Sequence, residues 1–548
     1  MCGILGSLPA APLDLRFLAH RGPDGQGSAA AGDEASMAHT RLAILDLTPR
    51  AAQPKWSDDG NVLLSFNGEI YNFRQLTACE EHSDTVALCE WLAASGPGCD
   101  LAKLDGMYGF AAYFSKQQAL VLARDPAGIK PLYIAVDAAG ERLAFSSEIK
   151  GFFGVEWFTA RPNCDAEIQR QYLQYGYALS APVALRLLGS QRQLTLVPTL
   201  LEGVFQLCPG QKLVLTRQGA VQSATALPAE PFEPLAALES SVRQQSISDV
   251  EVGVQLSGGV DSSLVAYEYA KRNGAVHGFY VSIDDRRYNE DRWVHRAAEL
   301  LDKRFKFRLH TIPATRQEVA RVFPSVAWFM DEPAVRHPNA VGVYLLCEYV
   351  RARTAVRVLL TGEGADEMFG GYSWHDGRTI SGFDKPVRMF DLGGCAQAEA
   401  CMARHPRLPA LARQLYYDRE VYMPPILLRQ DRMSMAHAIE ARVPFLSNRF
   451  LAMPPPRVPG KRVLKRQAAR VFGLRFAYRR KYGFGFPWDW FSELNVRQEH
   501  LAWLHGRWVP ASPAQAWTLT AIGLWAQEYL FGGWRKWADG PRGQAKTA

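Results

Sequence analysis

No run in this chain approaches the roughly 18 apolar residues that a membrane span needs, and its start lacks a basic segment followed by an apolar stretch, so neither an anchor nor a secretory leader is read. C-x-x-C pairs are missing as well. The nine cysteines stand apart at positions 2, 79, 89, 99, 164, 208, 347, 395 and 401, which suits neither a disulfide framework nor a structural zinc site; a reducing, cytoplasmic setting fits them. Charge of one sign is scarce: 62 basic against 55 acidic side chains leave +7 over 548 residues, and no basic run tracks a nucleic-acid backbone, so neither nucleic acid nor membrane is expected as a partner. Internal repeats are absent, and low complexity is confined to a polar tail at 538–548. With 48% hydrophobic residues, what remains is a large globular chain with room for two or more cores.

The opening Met1-Cys2-Gly3-Ile4-Leu5-Gly6 is the most telling stretch. Removal of Met1 would leave Cys2 with a thiol and a free α-amine together. Their reference pKa values, near 8.5 and near 8, let the amine serve as the thiol's own base, whereas a mid-chain cysteine needs a histidine nearby. The plainer reading is a small residue that happens to follow the initiator.

A second element follows about 250 residues on, where the alternating stretch Val252-Gly253-Val254-Gln255-Leu256 runs into Ser257-Gly258-Gly259-Val260-Asp261-Ser262-Ser263. This reads as strand, loop and helix. The glycines let main chain approach an anion, the serines supply hydroxyls, the helix aims its positive end at phosphate, and Asp261 can hold magnesium. Because the Gly-Lys-Ser/Thr of a P-loop is missing, simple γ-phosphoryl transfer is not the first expectation.

Together, Cys2-Gly3-Ile4 and Ser257-Gly258-Gly259-Val260-Asp261-Ser262-Ser263 resemble the glutamine-hydrolysing asparagine synthetases, in which an N-terminal-nucleophile glutaminase is joined to an ATP-pyrophosphatase domain. The likeness runs along nearly the whole chain, through His20-Arg21-Gly22-Pro23-Asp24, Asn67-Gly68-Glu69-Ile70-Tyr71-Asn72, Arg124-Asp125, Ser146-Ser147-Glu148, Thr361-Gly362-Glu363-Gly364-Ala365-Asp366-Glu367, Glu440-Ala441-Arg442-Val443-Pro444 and Arg479-Arg480-Lys481.

Periodicity agrees with two unlike halves. Short alternating or apolar runs at 42–47, 62–66, 109–114, 120–123 and 211–215, with a helix over 85–94, predict an α+β domain, which the resemblance makes an antiparallel β sandwich flanked by helices of the Ntn-hydrolase type, spanning 2–223. The proline-bearing stretch 224–234 reads as a linker. Strands at 252–256, 277–283 and 356–360 then alternate with helices at 262–273, 290–301 and 342–354, an α/β pattern that predicts a parallel sheet of the ATP-pyrophosphatase type over 235–537, with ligands at the strands' carboxyl ends.

The resemblance implies a set of residues for each site. In the first, Cys2 attacks the side-chain amide of glutamine, Asn67 and the Gly68 N–H hold the oxyanion, and Arg41, Glu69 and Asp84 bind the substrate, Arg41 at its α-carboxylate and Asp84 at its α-ammonium. Singly, each has an ordinary alternative: Asn67-Gly68 as a hairpin turn, Arg41 as a strand-end charge, Ser83-Asp84 as a helix cap. In the second, Leu256, Ser257, Gly258, Gly259, Asp261, Ser262, Val281 and Gly362 bind ATP, Asp261 and Asp366 hold Mg2+, Glu363 assists proton removal from the attacking amine, and Lys461 neutralises departing pyrophosphate. Val281 reads equally as a core residue. The acceptor carboxylate expected is aspartate, no prosthetic group is called for, and a homodimer is compatible with the likeness. The basic stretch 475–481 is either a solvated surface or a pyrophosphate clamp.

Several stretches depart from the family pattern, none at the glutaminase residues, and one lies where the family's acceptor run stands. Ser447 stands where aspartate is usual, Cys208 where proline is, Pro126-Ala127 after Arg124-Asp125, and the segment 75–82 is short. The run Asp331-Glu332-Pro333-Ala334-Val335-Arg336-His337-Pro338-Asn339-Ala340 differs most, and reads either as selection of another carboxylate, such as a sugar uronate or natural-product acid, or as drift in a loop. Intramolecular amide formation is disfavoured by the intact glutaminase set, and a tRNA-modifying protein by the lack of a basic stripe.

Overall fold

The structure, a computed structural model, describes residues 2–77, 82–175, 177–187, 190–229, 231–333, 338–376, 406–479, 485–491, 498–506 and 508–537. The shortened segment at 78–81, the Arg336-His337 departure, most of the unassigned stretch 378–410, Arg480-Lys481 and the polar tail lie outside the described residues.

Two antiparallel sheets form the first half. The larger runs in the order Ala181–Leu187, Ser190–Pro198, Val204–Leu207, Tyr133–Val136, Leu143–Ser146, Gly3–Leu8, Ala35–Arg41, Gly25–Ala31. The smaller runs Gly219–Ala224, Gln211–Thr216, Ala119–Arg124, Gly106–Phe114, Val62–Ile70, Lys55–Trp56. Alternate residues of both, among them Ile4, Met37, Leu63, Leu122 and Ile134, fill the layer between them, as period-two burial in a sandwich requires. Helix Asp84–Ser95, capped by the Ser83 hydroxyl on the Val86 N–H, covers the outer face of the smaller sheet against Leu64, Phe66 and Phe110.

The run 42–47 is not the strand its apolar pattern suggests. Asp46 takes φ +52, which no ladder accommodates, and its carboxylate accepts from the Thr48 N–H and hydroxyl. The segment leaves the sheet, and Leu42 and Ile44 pack on Val358 and Met435 of the second half. Asn67-Gly68 makes no turn either. It lies inside strand Val62–Ile70, paired with Gly109 and Tyr108. Gly68 adopts φ +152 there, and a Cβ would stand 2.0 Å from the Met107 carbonyl oxygen, so only glycine fits.

The second half is a parallel sheet in the order Lys306–Ala314, Ala275–Ile283, Val252–Gln255, Val358–Leu360, Glu440–Arg442. The chain winds outward one way from Val252–Gln255, then crosses to its other side. Adjacent loops therefore diverge at the carboxyl ends of Val252–Gln255 and Val358–Leu360, where doubly wound sheets open a ligand crevice.

One apolar core spans both halves. Leu5, Tyr133 and Ala144 of the larger antiparallel sheet share a cluster with Phe279 and Val281 of the parallel sheet, Phe323 of helix Arg316–Phe329, and Trp517 and Trp525 of helix Pro513–Tyr529. Buried charge crosses the same boundary. Asp331, at φ +65, accepts from the Lys150 N–H at 2.9 Å and the Tyr529 hydroxyl at 2.8 Å, and Glu332 accepts from the hydroxyls of Tyr133 and Tyr172 at 2.6 and 2.8 Å. The start of the divergent 331–340 run is thus an anchor between halves. Ser447 fills its place with a hydroxyl bond to Ser241 at 2.7 Å. Among the described residues no helix is long and apolar enough to cross a membrane.

Candidate active sites

Cys2 stands just ahead of strand Gly3–Leu8, 7% exposed, with its main-chain nitrogen donating to Asn67 Oδ1 at 3.0 Å. That bond turns the Asn67 Nδ2 the other way, and this buried donor has no partner. Burial raises the Cys2 thiol above its ordinary value, partly offset by the Leu42 N–H and Arg41. His39, on the neighbouring strand, is pushed down to about 3 by burial and is neutral, so it brings no positive charge to the thiol. Arg41 is aimed by the carbonyls of Asp46 and Thr48, the latter at 2.9 Å, so the irregular 42–48 loop fixes its fork. Asp84 opens its helix and accepts from the Ile70 N–H at 3.0 Å; burial lifts it to about 6. Glu69 lies 3.3 Å from Arg442 and is raised well above the carboxylate range by burial and by Glu440.

Glu440 and Arg442 belong to the last strand of the parallel sheet, yet both act on this pocket. Arg442 binds Glu440 at 2.5 Å and holds it down to about 2 against burial, so a fixed anion from the second half stands among Cys2, Glu69 and Asp84. Arg21 adds a further link. Its Nε donates to the Cys2 carbonyl at 3.0 Å, its Nη1 to Glu148, and its Nη2 to Asp431 at 2.9 Å.

The second site forms in the crevice. Ser257 N–H and Oγ meet Ser262 Oγ at 3.1 and 3.0 Å, folding the loop ahead of helix Val260–Asn273. Gly362 approaches so closely that a Cβ would lie 2.6 Å from the Ser262 nitrogen. Lys461 Nζ stands between Asp261 Oδ2 at 2.5 Å and Asp366 Oδ1 at 2.8 Å, and the second oxygen of Asp261 is buried without a partner. Two converging carboxylates, one with an unpartnered buried oxygen, suit a hard cation such as Mg2+. Among the described residues no group of three or more His, Cys, Asp or Glu could hold a metal ion. Leu256 N–H donates to the Phe279 carbonyl, so alternation turns the main chain of Val281 toward the loop while its side chain stays in the core. Arg479 grips the Gly258 carbonyl and Glu290, both at 2.8 Å.

Glu363 is raised by burial, opposed by Arg429, which donates to one of its oxygens; the other oxygen is unpartnered. Arg429, Asp431, Glu440 and Arg21 had no role assigned from sequence. Glu440 and Arg21 sit in motifs that carry the resemblance, but Glu440 acts on Cys2, Glu69 and Asp84 and Arg21 reaches Asp431 only because the halves dock.

The sites are distinct and share one helix, Met423–Met435: Arg429 reaches Glu363, Gln430 bonds Gln255 at 3.1 Å, and Asp431 reaches Arg21. Against known proteins, the Glutamine amidotransferase domain family matches residues 1–222 and the Asparagine synthase family residues 234–513. Asparagine synthetase B [glutamine-hydrolyzing] of Escherichia coli (strain K12) is 28% identical over 470 residues, 80% of this chain and 70% of that protein. Asparagine synthetase [glutamine-hydrolyzing] 2 of Oryza sativa subsp. japonica is 26% identical over 502 residues, 86% of this chain and 72% of that protein. A Mycobacterium bovis relative is 30% identical over 408 residues, and that match spans 68% of this chain but 59% of the relative's own length. With more than half its length matched by that one family, the chain belongs to the asparagine synthases.

Proposed function

We propose that the chain is a glutamine- and ATP-dependent amidotransferase that converts aspartate to asparagine with release of AMP and pyrophosphate. The observation that carries this reading is the shared helix Met423–Met435, which ties a buried cysteine beside a free amide donor to an acidic, glycine-lined crevice.

In the first half, the Cys2 sulfur adds to the side-chain carbonyl carbon of glutamine, with the α-amine exposed by loss of Met1 taking the thiol proton. The oxyanion is met by Asn67 Nδ2 and the Gly68 N–H. The carbon–nitrogen bond then breaks, ammonia leaves with that proton, and water hydrolyses the thioester to glutamate. Arg41 forks onto the α-carboxylate, while Asp84 and Glu69 face the α-ammonium.

In the second half, Leu256, Ser257, Gly258, Gly259, Ser262 and Gly362 line the nucleotide's path, with Val281 offering main chain to the base. Asp261 and Asp366 would hold Mg2+, which neutralises phosphate charge. The aspartate side-chain carboxylate displaces pyrophosphate from the α-phosphorus, and Lys461 follows the leaving charge. Ammonia then attacks the acyl carbon, AMP departs, and Glu363, oriented by Arg429 and raised by burial, takes the proton. The domain limits that fit this division are 2–223 and 235–537.

The test is the purified chain with glutamine, ATP, magnesium and aspartate, followed by mass spectrometry. Asparagine, AMP and pyrophosphate in equal amounts are expected. Formation of ADP, or turnover of ATP without asparagine, overturns the reading.

A further inference from the structure

A cavity of about 680 Å³ lies between the halves, and none of the residues assigned to either reaction lines it. Its walls come from both: Leu179, Val197 and Cys208 on one side, Met330, Met423 and Leu428 on the other. The volume is that of a site for a small organic molecule. Its polar groups are unevenly disposed. Both terminal nitrogens of Arg432 are engaged, by the Met330 carbonyl, the Tyr133 hydroxyl and Asp331, leaving only its Nε without a partner, and both Glu332 oxygens are taken by tyrosines.

Arg419 is different. It lines the cavity from a π-helical stretch, Asp418–Tyr422, a geometry that recurs at functional sites. Its guanidinium carbon stands 5.8 Å over the Tyr416 ring, but its Nε and Nη2 are buried with no hydrogen-bond partner. Of the nearby carboxylates, Asp418 bonds His375 at 2.6 Å through one oxygen and Glu367 bonds the Tyr372 hydroxyl at 2.5 Å, while Glu420 lines the same cavity; none is hydrogen-bonded to Arg419 Nε or Nη2. Burial lowers this guanidinium to about 10, only partly offset by Tyr416 and the charges of Asp418 and Glu367. A buried cation with two unpartnered donors is expensive unless something supplies an acceptor.

We propose that this interdomain cavity binds a small carboxylate with an apolar body, its carboxylate forked onto Arg419 and its body along the aliphatic walls. The cavity abuts helix Met423–Met435 through Met423, Leu428 and Arg432, the same helix that holds Glu363 through Arg429 and the Cys2 carbonyl through Asp431 and Arg21. Occupancy therefore bears on both sites without touching either, which makes the ligand an effector and neither glutamine, nucleotide nor acceptor.

Titration calorimetry on the full chain with 3-phenylpropionate, and with 3-phenylpropionamide as its neutral twin, tests this. The acid should bind with one site per chain, and the amide about tenfold more weakly or worse, as loss of a charge-assisted contact implies. Arg419→Met should weaken the acid to the level of the amide, and Val197→Phe, filling the cavity from the opposite wall, should abolish binding of both. Saturating ATP or aspartate should shift the acid's affinity only to a limiting value, without displacing it. Equal binding of acid and amide, unchanged binding in Val197→Phe, or competitive displacement by ATP or aspartate overturns the proposal.

Discussion

Asp431 is 2% exposed and serves two cations across the boundary between halves: Arg21 at 2.9 Å and Lys130 at 3.2 Å. Asp431→Asn preserves shape and removes the charge. Arg21 keeps Glu148, but Lys130 is left with no direct carboxylate contact, its ammonium already lowered by burial and supported chiefly by Asp431. Breaking a buried pair from one side costs about 3–5 kcal/mol. Lys130 can escape part of this by giving up its proton. Its folded pKa then falls further below that of the unfolded chain, the unfolded state binds more protons, and stability rises with pH. The deficit of Asp431→Asn should accordingly shrink between pH 7 and pH 10. Adding Lys130→Met should recover about 2 kcal/mol or more at pH 7, since the stranded charge is gone. Urea unfolding followed by tryptophan emission reads all three chains. A variant as stable as its parent, a deficit that grows with pH, or a double variant weaker than Asp431→Asn alone refutes the reasoning.

Replacing Cys2 by Ala should end glutamate release from glutamine while asparagine still forms from ammonium chloride; loss of both activities would contradict separate sites. Asn67→Ala should cut glutaminase turnover by about 10²–10³-fold, as removal of one oxyanion donor does, again sparing the ammonia-driven reaction. Asp84, lifted to about 6, favours its protonated form at acid pH, so its own term in folding stability is present below about 4 and lost as pH climbs through 6. Binding an ammonium needs the opposite form, and the KM for glutamine should therefore rise as pH falls from 7 to 5, with Asp84→Asn flattening that slope. Lys461→Met should lower pyrophosphate release by at least about 10²-fold with glutaminase intact, and equal loss of both would remove it from the second site.

Local chemistry was legible wherever it was contiguous. The strand-loop-helix at 252–273 could be read because apolar alternation, paired glycines and an acidic first turn sit within about twenty residues. Strand Lys306–Ala314 escaped notice for the converse reason. It lies at the sheet edge, so Lys306, Arg308 and Thr311 point to solvent and Pro313 sits near its end, diluting the apolar signal. At 42–47 the apolar count was right and the backbone wrong, since one left-handed aspartate outweighs four aliphatic neighbours.

Glu440 shows why the remainder of the site was hidden. In sequence it is a carboxylate in Glu440-Ala441-Arg442, with nothing to distinguish a surface pair from a buried one. In the fold, the edge strand that carries it is pressed beneath the Cys2 pocket, and Arg442 keeps it ionised while it pushes Glu69 and Asp84 toward their neutral forms. Burial is the main cause of both shifts, and a residue of the other half adds to it at the Cys2 pocket. Any movement of strand Glu440–Arg442, which is paired directly with Val358–Leu360 just ahead of the Thr361–Asp366 loop, alters the field at Cys2. The two sites are electrostatically joined before any ligand arrives, and a change at the crevice around Ser257 and Gly362 has a route of three bonded elements to the thiol.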